Sequence, residues 1–321
     1  MEPYESLILP RKRRPGKPRG GVMQIRLTSY CDCACPHCTQ LCDWRAVGRG
    51  TLMHVEQFEQ AVISLKDYWG IIGIFGGNPC LHPKFTEICK ILRKYFPKER
   101  CGLWSNRIYD YGPICAETFN PSISNLNVHG SKEAYKEIRE GWPQARPFGL
   151  KEPSRHPPIL TAVMDLVPEE KMWDVIKSCD LNKHWSAMIA VINGQLRGFF
   201  CEVAGSLATL HSSDPDWPDL GVEIEPGWWK KGWEAFADQA RFYCPRCGVP
   251  LRGWGALDRD ESAPNLVSKC HYEFVCQKGS RRSSPIKLIT NIKQLGGTDL
   301  QVIIFIYRRN VTSWHCFKCA K

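Results

Sequence analysis

The chain has 321 residues, 43% of them hydrophobic and 12 of them Trp, enough for a sizeable core in one large or two modest domains. No apolar run reaches the length of a membrane span and the N-terminus lacks a signal peptide's apolar core, so a soluble cytoplasmic protein is expected, in the host cytoplasm if the source is viral. Net charge is +10 and there are 17 Cys; with no export signal, the Cys-x-x-Cys pairs favour metal sites over a disulfide framework.

Residues 1–21 form the first unit. Six Lys/Arg stand against Glu2 and Glu5 in the first 20 residues, and the run Arg11-Lys-Arg-Arg-Pro-Gly-Lys-Pro-Arg-Gly20 is rich in Pro and Gly. A disordered basic arm is expected. It either gains affinity from nucleic-acid phosphates by counterion release or simply keeps the chain soluble.

Val22 to Thr28 alternates apolar and polar β-formers and reads as the first strand. It leads straight into Tyr30-Cys-Asp-Cys-Ala-Cys-Pro-His-Cys38, that is, Cys31-x3-Cys35-x2-Cys38. Three thiolates within eight residues cannot share one helix face or one strand face, so they belong on a loop. Soft thiolates select Fe–S clusters or zinc. Fe–S clusters usually take four cysteines, so three ligands leave one iron open for a small molecule. Cys33 and Cys42 lie nearby and allow a different set of four, and a zinc knuckle is the competing reading.

A strand followed by this loop, with His37 just before the third Cys, resembles the radical S-adenosylmethionine (SAM) superfamily. The resemblance implies a catalytic [4Fe–4S] cluster on Cys31, Cys35 and Cys38 whose open iron chelates the amino and carboxylate groups of SAM. It implies reductive cleavage of SAM to methionine and a 5′-deoxyadenosyl radical, which takes a hydrogen atom from the substrate. A reducing partner such as flavodoxin or ferredoxin follows from that chemistry. The implied fold is α/β, a partial (β/α)6 TIM-type barrel with cluster and SAM at the C-terminal strand ends.

The chain then continues in strand–helix alternation, which argues for a parallel sheet. His54 to Trp69 reads as a helix, with Val55, Phe58, Val62 and Leu65 near a 3.6 period. Trp69 to Phe75 is a continuous apolar run, as in a buried parallel strand. It ends in Gly76-Gly77-Asn78-Pro79, similar to the superfamily's Gly-Gly-Glu-Pro turn, which implies that its backbone positions the SAM amino group. Asn78 stands where Glu is usual and lacks its charge. Pro83 to Phe96 reads as a helix and Cys101 to Asn106 as a third strand, whose Ser105 and Asn106 the resemblance puts near the nucleoside with His37; turn capping is the plainer role. Ile123 to Gly130 reads as a fourth strand with Asn127 and His129 on one side, at the end where barrels bind ligands. Ser131 to Trp142 is helical, 143–157 a loop, Pro158 to Leu166 a fifth strand and Glu169 to Ser178 a helix. Asp165 is a substrate ligand or a helix cap. Cys80, Cys89, Cys101 and Cys115 fall in barrel elements and read as small core residues.

After residue 178 the pattern changes. Trp185 to Cys201 reads as two strands joined by the turn Asn193-Gly194. Cys179 and Cys201 bracket this hairpin, and Cys244-Pro-Arg-Cys247 follows a helical stretch from Gly232 to Tyr243. This order resembles the SPASM/twitch auxiliary-cluster domains of radical SAM enzymes, although the Cys179–Cys201 gap is longer than those motifs have. It implies a small α+β Cys-rich auxiliary domain over 179–250, with a second [4Fe–4S] cluster on Cys179, Cys201, Cys244 and Cys247. The competing reading is a zinc ribbon, with Cys316 and Cys319 supplying the other pair. Trp217, Trp228, Trp229 and Trp233 either stack on bases or anchor an irregular loop. Residues 251–321 form an extension of unknown role, loop-rich over 250–285, with a last strand at Leu300 to Tyr307.

The expected function is radical SAM chemistry in the 22–178 barrel. Its substrate is a nucleobase substituent in nucleic acid, modified or isomerised as in phage-type DNA hypermodification. The alternatives are peptide maturation, and dehydration, epimerisation or dehydrogenation of a sugar or aminocyclitol. The non-catalytic alternative is a zinc-bearing nucleic-acid-binding protein.

Overall fold

The computed structural model describes residues 21–47, 51–179, 181 and 186–295. The basic arm up to residue 20, Trp185, the expected strand Leu300 to Tyr307, and Cys316 and Cys319 lie outside the described residues. The architecture is mixed α/β, built on a six-stranded, mostly parallel sheet in the order β3-β2-β1-β5-β6-β7. Its strands are β1 (Val22–Arg26), β2 (Ile71–Phe75), β3 (Cys101–Leu103), β5 (Ser186–Ile192), β6 (Gln195–Phe199) and β7 (Val222–Glu223). Outside the sheet, β4 (Arg155–His156) pairs antiparallel with β8 (Ala256–Leu257), and β9 (Asn265–Ser268) pairs parallel with β10 (Ile286–Ile289).

The order β1, helix Val55–Ser64, β2, helix Phe85–Tyr95, β3 makes two successive crossovers. All five residues of β2 are buried, which explains its unbroken apolar run. Phe58, Ala61 and Val62 of the first helix and Phe85, Ile88 and Leu92 of the second form its cover. The sheet is compatible with a partial barrel, and β5 hydrogen-bonds in parallel along the other edge of β1. The hairpin β5–β6 is therefore continuous with the sheet that carries the Cys31 loop. Its turn forms at Asn193 and Gly194, both with positive φ, as a two-residue hairpin requires.

Two expected strands do not form. Residues 123–130 make only isolated bridges, Asn125 to Trp104 at the end of β3 and Asn127 to Phe148 on the other side. The Ser124 hydroxyl takes the Leu103 N–H at 3.0 Å in place of a strand carbonyl, so the ladder breaks before it extends. His129 and Gly130, with φ of 45° and 84°, then turn the chain away. Residues 158–166 are not a strand either. The Thr161 N–H and hydroxyl both fold back on the Pro158 carbonyl, and a short helix follows at Val163–Leu166.

After Cys201, Glu202–Leu210 is a helix whose residues from Val203 on are buried. Within the loop-rich segment, β9, helix Lys269–Lys278 and β10 form a second, smaller parallel unit. Asp165 caps that helix, accepting from Cys270 N at 2.9 Å. No helix among the described residues is long and apolar enough to cross a membrane.

Candidate functional site

The Cys31 loop and the Gly76-Gly77 turn leave the sheet side by side, because β1 and β2 are parallel neighbours. The β1–β2 pairing continues past both strands: Leu27 N donates to Phe75 O (2.8 Å), Gly77 N to Thr28 O (2.8 Å) and Asn78 N to Tyr30 O (2.6 Å). A Cβ on Gly76 would collide with the Thr28 carbonyl, and one on Gly77 with the Tyr30 carbonyl. Glycine at both places is what lets the turn lie against the base of the loop. The N–H groups of Gly77 and Asn78 are taken by this stitching, so the turn's carbonyls are what it can offer a ligand.

Asn78 is fully buried. Its Oδ1 accepts from Cys80 N (2.9 Å) and lies 3.0 Å from the Ser105 hydroxyl, and its Nδ2 donates to the Arg107 carbonyl (3.3 Å). Ser105 Oγ is also 2.6 Å from that carbonyl. As placed, Asn78 and Ser105 build the turn at the ends of β2 and β3, and Pro79 starts the short 3-10 turn Pro79–Leu81 behind them. Asn106 faces the Cys loop instead. Its Nδ2 donates to Asp32 Oδ1 (2.8 Å) and lies 3.2 Å from Cys33 Sγ, while its Oδ1 is buried without a partner. The Tyr109 hydroxyl holds the other oxygen of Asp32 at 3.1 Å.

Within the loop, the Cys33 thiol is in contact with those of Cys31 and Cys35, and Cys38 is paired with Cys42. Hydrogen bonds from Cys31 and Cys35 pull the Cys33 thiol down to about 3, and donating to Cys33 pushes both of those up. Beneath the loop lies Arg26. Its Nη2 is 3.1 Å from Gln40 O and 3.9 Å from Cys42 Sγ, and its Nε and Nη1 are buried without partners. An incompletely paired buried guanidinium under a thiol-rich loop suits a multiply charged anionic group such as a thiolate-bound Fe–S cluster. His37 is also buried, with φ of 54° and both ring nitrogens unpartnered; burial pushes it down to about 4, so it is neutral at pH 7.

Asn127 and His129 converge, but on a residue the sequence did not point to. Asp258, just after β8, accepts from His129 Nδ1 (2.7 Å) and Asn127 Nδ2 (3.2 Å). His156 in β4 joins them: ligand atoms of His129, His156 and Asp258 all lie within 4.8 Å of one another. His156 Nδ1 donates to the Pro36 carbonyl (3.0 Å), which ties this group to the Cys loop. Nothing in periodicity or spacing distinguishes a lone His156 or Asp258, so neither was visible before the fold was known.

The second set of cysteines is brought together from three segments. Cys179 follows helix Glu169–Lys177, Cys201 precedes helix Glu202–Leu210, and Cys244 and Cys247 follow helix Ala237–Tyr243. All four line one cavity of about 350 Å³, including its mouth, with Phe200, Leu207 and Tyr243 among the other walls. Burial pushes the Cys201 thiol up to about 12 and those of Cys244 and Cys247 well above the usual range. The Arg246 guanidinium between the last two is stacked over Phe242, 3.9 Å from its centroid. Four thiols gathered in this way can hold either a zinc ion or an Fe–S cluster.

Cys80, Cys89, Cys101 and Cys115 are buried in the core. Trp228 and Trp229 are buried too, and Trp217 stacks on His211 with centroids 3.8 Å apart. These Trp residues anchor the irregular segment. The side chain of Trp233 lies outside the description. Lys230 and Lys231 are paired with Asp67 (3.6 Å) and Glu225 (2.8 Å).

No family model and no curated protein matches the sequence. Among solved structures the chain is similar to one titled "Crystal structure of BtrN in complex with AdoMet and 2-DOIA", at 14% identity and a TM-score of 0.44, covering 75% of this chain and 92% of that chain.

Proposed function

We propose that this protein is a radical SAM enzyme. The observation that carries the reading is the hydrogen-bonded junction of the Cys31-x3-Cys35-x2-Cys38 loop with the Gly76-Gly77 turn, at the C-terminal ends of two adjacent parallel strands. A zinc knuckle needs no such junction. Cys31, Cys35 and Cys38 would hold a [4Fe–4S] cluster, and the carbonyls of Gly76 to Pro79 would receive the methionine end of SAM. When bound and reduced, the cluster supplies the electron that cleaves SAM, and the carbon radical so formed takes a hydrogen atom from the substrate. His37 and Asn106 keep polar atoms free beside the loop and suit the nucleoside. Asn127, His129 and Asp258 group with His156, which bonds the Cys loop at Pro36, and suit the substrate. A second cluster on Cys179, Cys201, Cys244 and Cys247 would have no open iron, so its role would be electron transfer or structure.

For the substrate, the +10 charge and the basic run at 11–19 support a nucleobase substituent in nucleic acid. The tryptophans give this reading no support, since they are anchors.

The test uses anaerobically reconstituted protein: iron and sulfide content, and 5′-deoxyadenosine formed from SAM after dithionite reduction. About eight irons with deoxyadenosine formation is the expected result. About four irons plus one zinc keeps the enzyme and makes the second site a zinc site. Zinc alone with no deoxyadenosine ends the enzyme reading. Salt-sensitive binding to DNA or RNA, lost when residues 1–20 are removed, is expected if the substrate proposal holds.

A further inference from the structure

The Cys loop is closed from outside by a residue 239 positions beyond it. The guanidinium of Arg281 makes three hydrogen bonds to loop carbonyls: Nη2 to Cys31 O (2.9 Å), Nη1 to Cys42 O (2.9 Å) and Nη1 to Cys33 O (3.4 Å). One planar fork thus joins the two ends of the thiol-bearing loop. Its own backbone is fixed against the same loop. Arg281 N donates to Asp43 O (2.7 Å), as does the Ser280 hydroxyl (3.1 Å), while Arg45 N donates to Gly279 O (3.0 Å). Trp44 and Ser280 form an antiparallel bridge. Gly279, at φ of 79°, makes the sharp exit from helix Lys269–Lys278 that delivers this segment. Arg282 secures the segment itself, its Nη2 reaching the Ala263 carbonyl and Ser284 Oγ (3.2 Å), and its charge also acts on Asp43 and Cys35 of the loop.

We propose that Arg281 is a positioning residue for the catalytic cluster. It holds the loop in its ligating shape through three carbonyls and places a permanent cation beside the cluster. The proposal rests on the assignment of Cys31, Cys35 and Cys38 as cluster ligands. It gives the C-terminal unit, which resembles nothing by sequence, a part in the site. Guanidinium suits the task because its donors are coplanar and its charge does not titrate. Lysine at the same place keeps the charge but lacks the fork.

The test compares reconstituted wild type, Arg281→Gln and Arg281→Lys by EPR-monitored redox titration and by the rate at which an iron chelator strips the first cluster. Cluster charge and hydrogen bonding set its potential, and losing a nearby cation disfavours the more negative reduced state. Arg281→Gln is expected to lower the reduced-to-oxidised ratio about tenfold at a fixed potential, about 59 mV for a one-electron couple, and to speed iron loss. Arg281→Lys is expected to restore most of the potential but not the slow iron loss. Wild-type potential and stripping rate in Arg281→Gln overturn the proposal. If circular dichroism shows that Arg281→Gln does not fold, the Lys variant decides, and an unchanged stripping rate overturns the claim for the fork. Cys31→Ala protein that keeps its full iron content overturns the ligand assignment instead, whatever Arg281 does.

Discussion

The two cysteine sites solve different problems with the same side chain. The first takes its thiols from eight consecutive residues on a half-buried loop, and polar groups without partners surround it: Arg26 Nε and Nη1, both nitrogens of His37, and Asn106 Oδ1. The second collects four thiols from residues 179 to 247 inside an apolar wall. A site that must admit a polar ligand keeps hydrogen-bonding capacity in reserve, at a cost in stability. A site that only holds a group can be apolar, with all of its polar valence in the ligands.

The sharpest way to break this contrast is to remove thiols one site at a time. Cys31→Ala, Cys35→Ala or Cys38→Ala should each abolish deoxyadenosine formation and remove about four irons. Cys244→Ala or Cys247→Ala should also remove about four irons but leave deoxyadenosine measurable, because the face proposed to bind SAM is untouched. Equal loss of activity from both sets would show that the sites act as one.

The junction beneath the first site can be tested through its glycines. Gly77→Ala drives a methyl into the Tyr30 carbonyl, with backbone and not a flexible side chain in the way. A cost of roughly 2–3 kcal/mol in urea unfolding is expected, with weakened SAM binding by the folded fraction. Wild-type stability would mean that the loop and turn are not in contact.

The outer polar group is expected to titrate as a pair. Burial pulls the His129 imidazole down, but the hydrogen bond and charge of Asp258 raise it overall; burial raises Asp258, and His129 more than reverses that. Stability from the raised histidine is complete below its unfolded value of about 6.5 and is lost as pH rises through the folded one. Stability from the depressed carboxyl is present above about 3.9 and is lost as pH falls through its folded value. Asp258→Asn should therefore shift the His129 ring-proton NMR midpoint downward, because burial is then opposed only by the smaller effect of the Cys33 and Cys38 charges. An unchanged midpoint would show that the two do not pair.

What the sequence revealed follows the range of the interactions. β1, β2, the helices around β2 and the hairpin at Asn193-Gly194 are local patterns, and they form where periodicity and turn chemistry put them. The Cys31 loop and the Gly76-Gly77 turn were legible as motifs, and Cys179, Cys201, Cys244 and Cys247, which line one cavity, were grouped through a resemblance whose Cys179–Cys201 spacing fits only in part. The strands expected at 123–130 and 158–166 failed because Ser124 and Thr161 capture backbone groups that a ladder needs. Asp258 and Arg281 were not legible at all. Each acts on a partner more than 120 residues away, and a single Asp or Arg in a loop carries no pattern.

The hairpin provides the mild end of the comparison. Gly194 has φ of 82°, and nothing lies within 4 Å of where its Cβ would be. Gly194→Ala therefore meets no collision and incurs only the cost of a left-handed backbone, about 1 kcal/mol. Asn193, with φ of 49°, is a residue type that tolerates that region, and its side chain donates to Ser212 O at 3.1 Å, which ties the turn to the end of the following helix. The variant should keep both clusters' iron and its deoxyadenosine yield while its urea midpoint falls slightly. β5 lies directly against β1, so a larger loss, or any loss of iron from the Cys31 loop, would show that the hairpin's register supports the first site as well as the second.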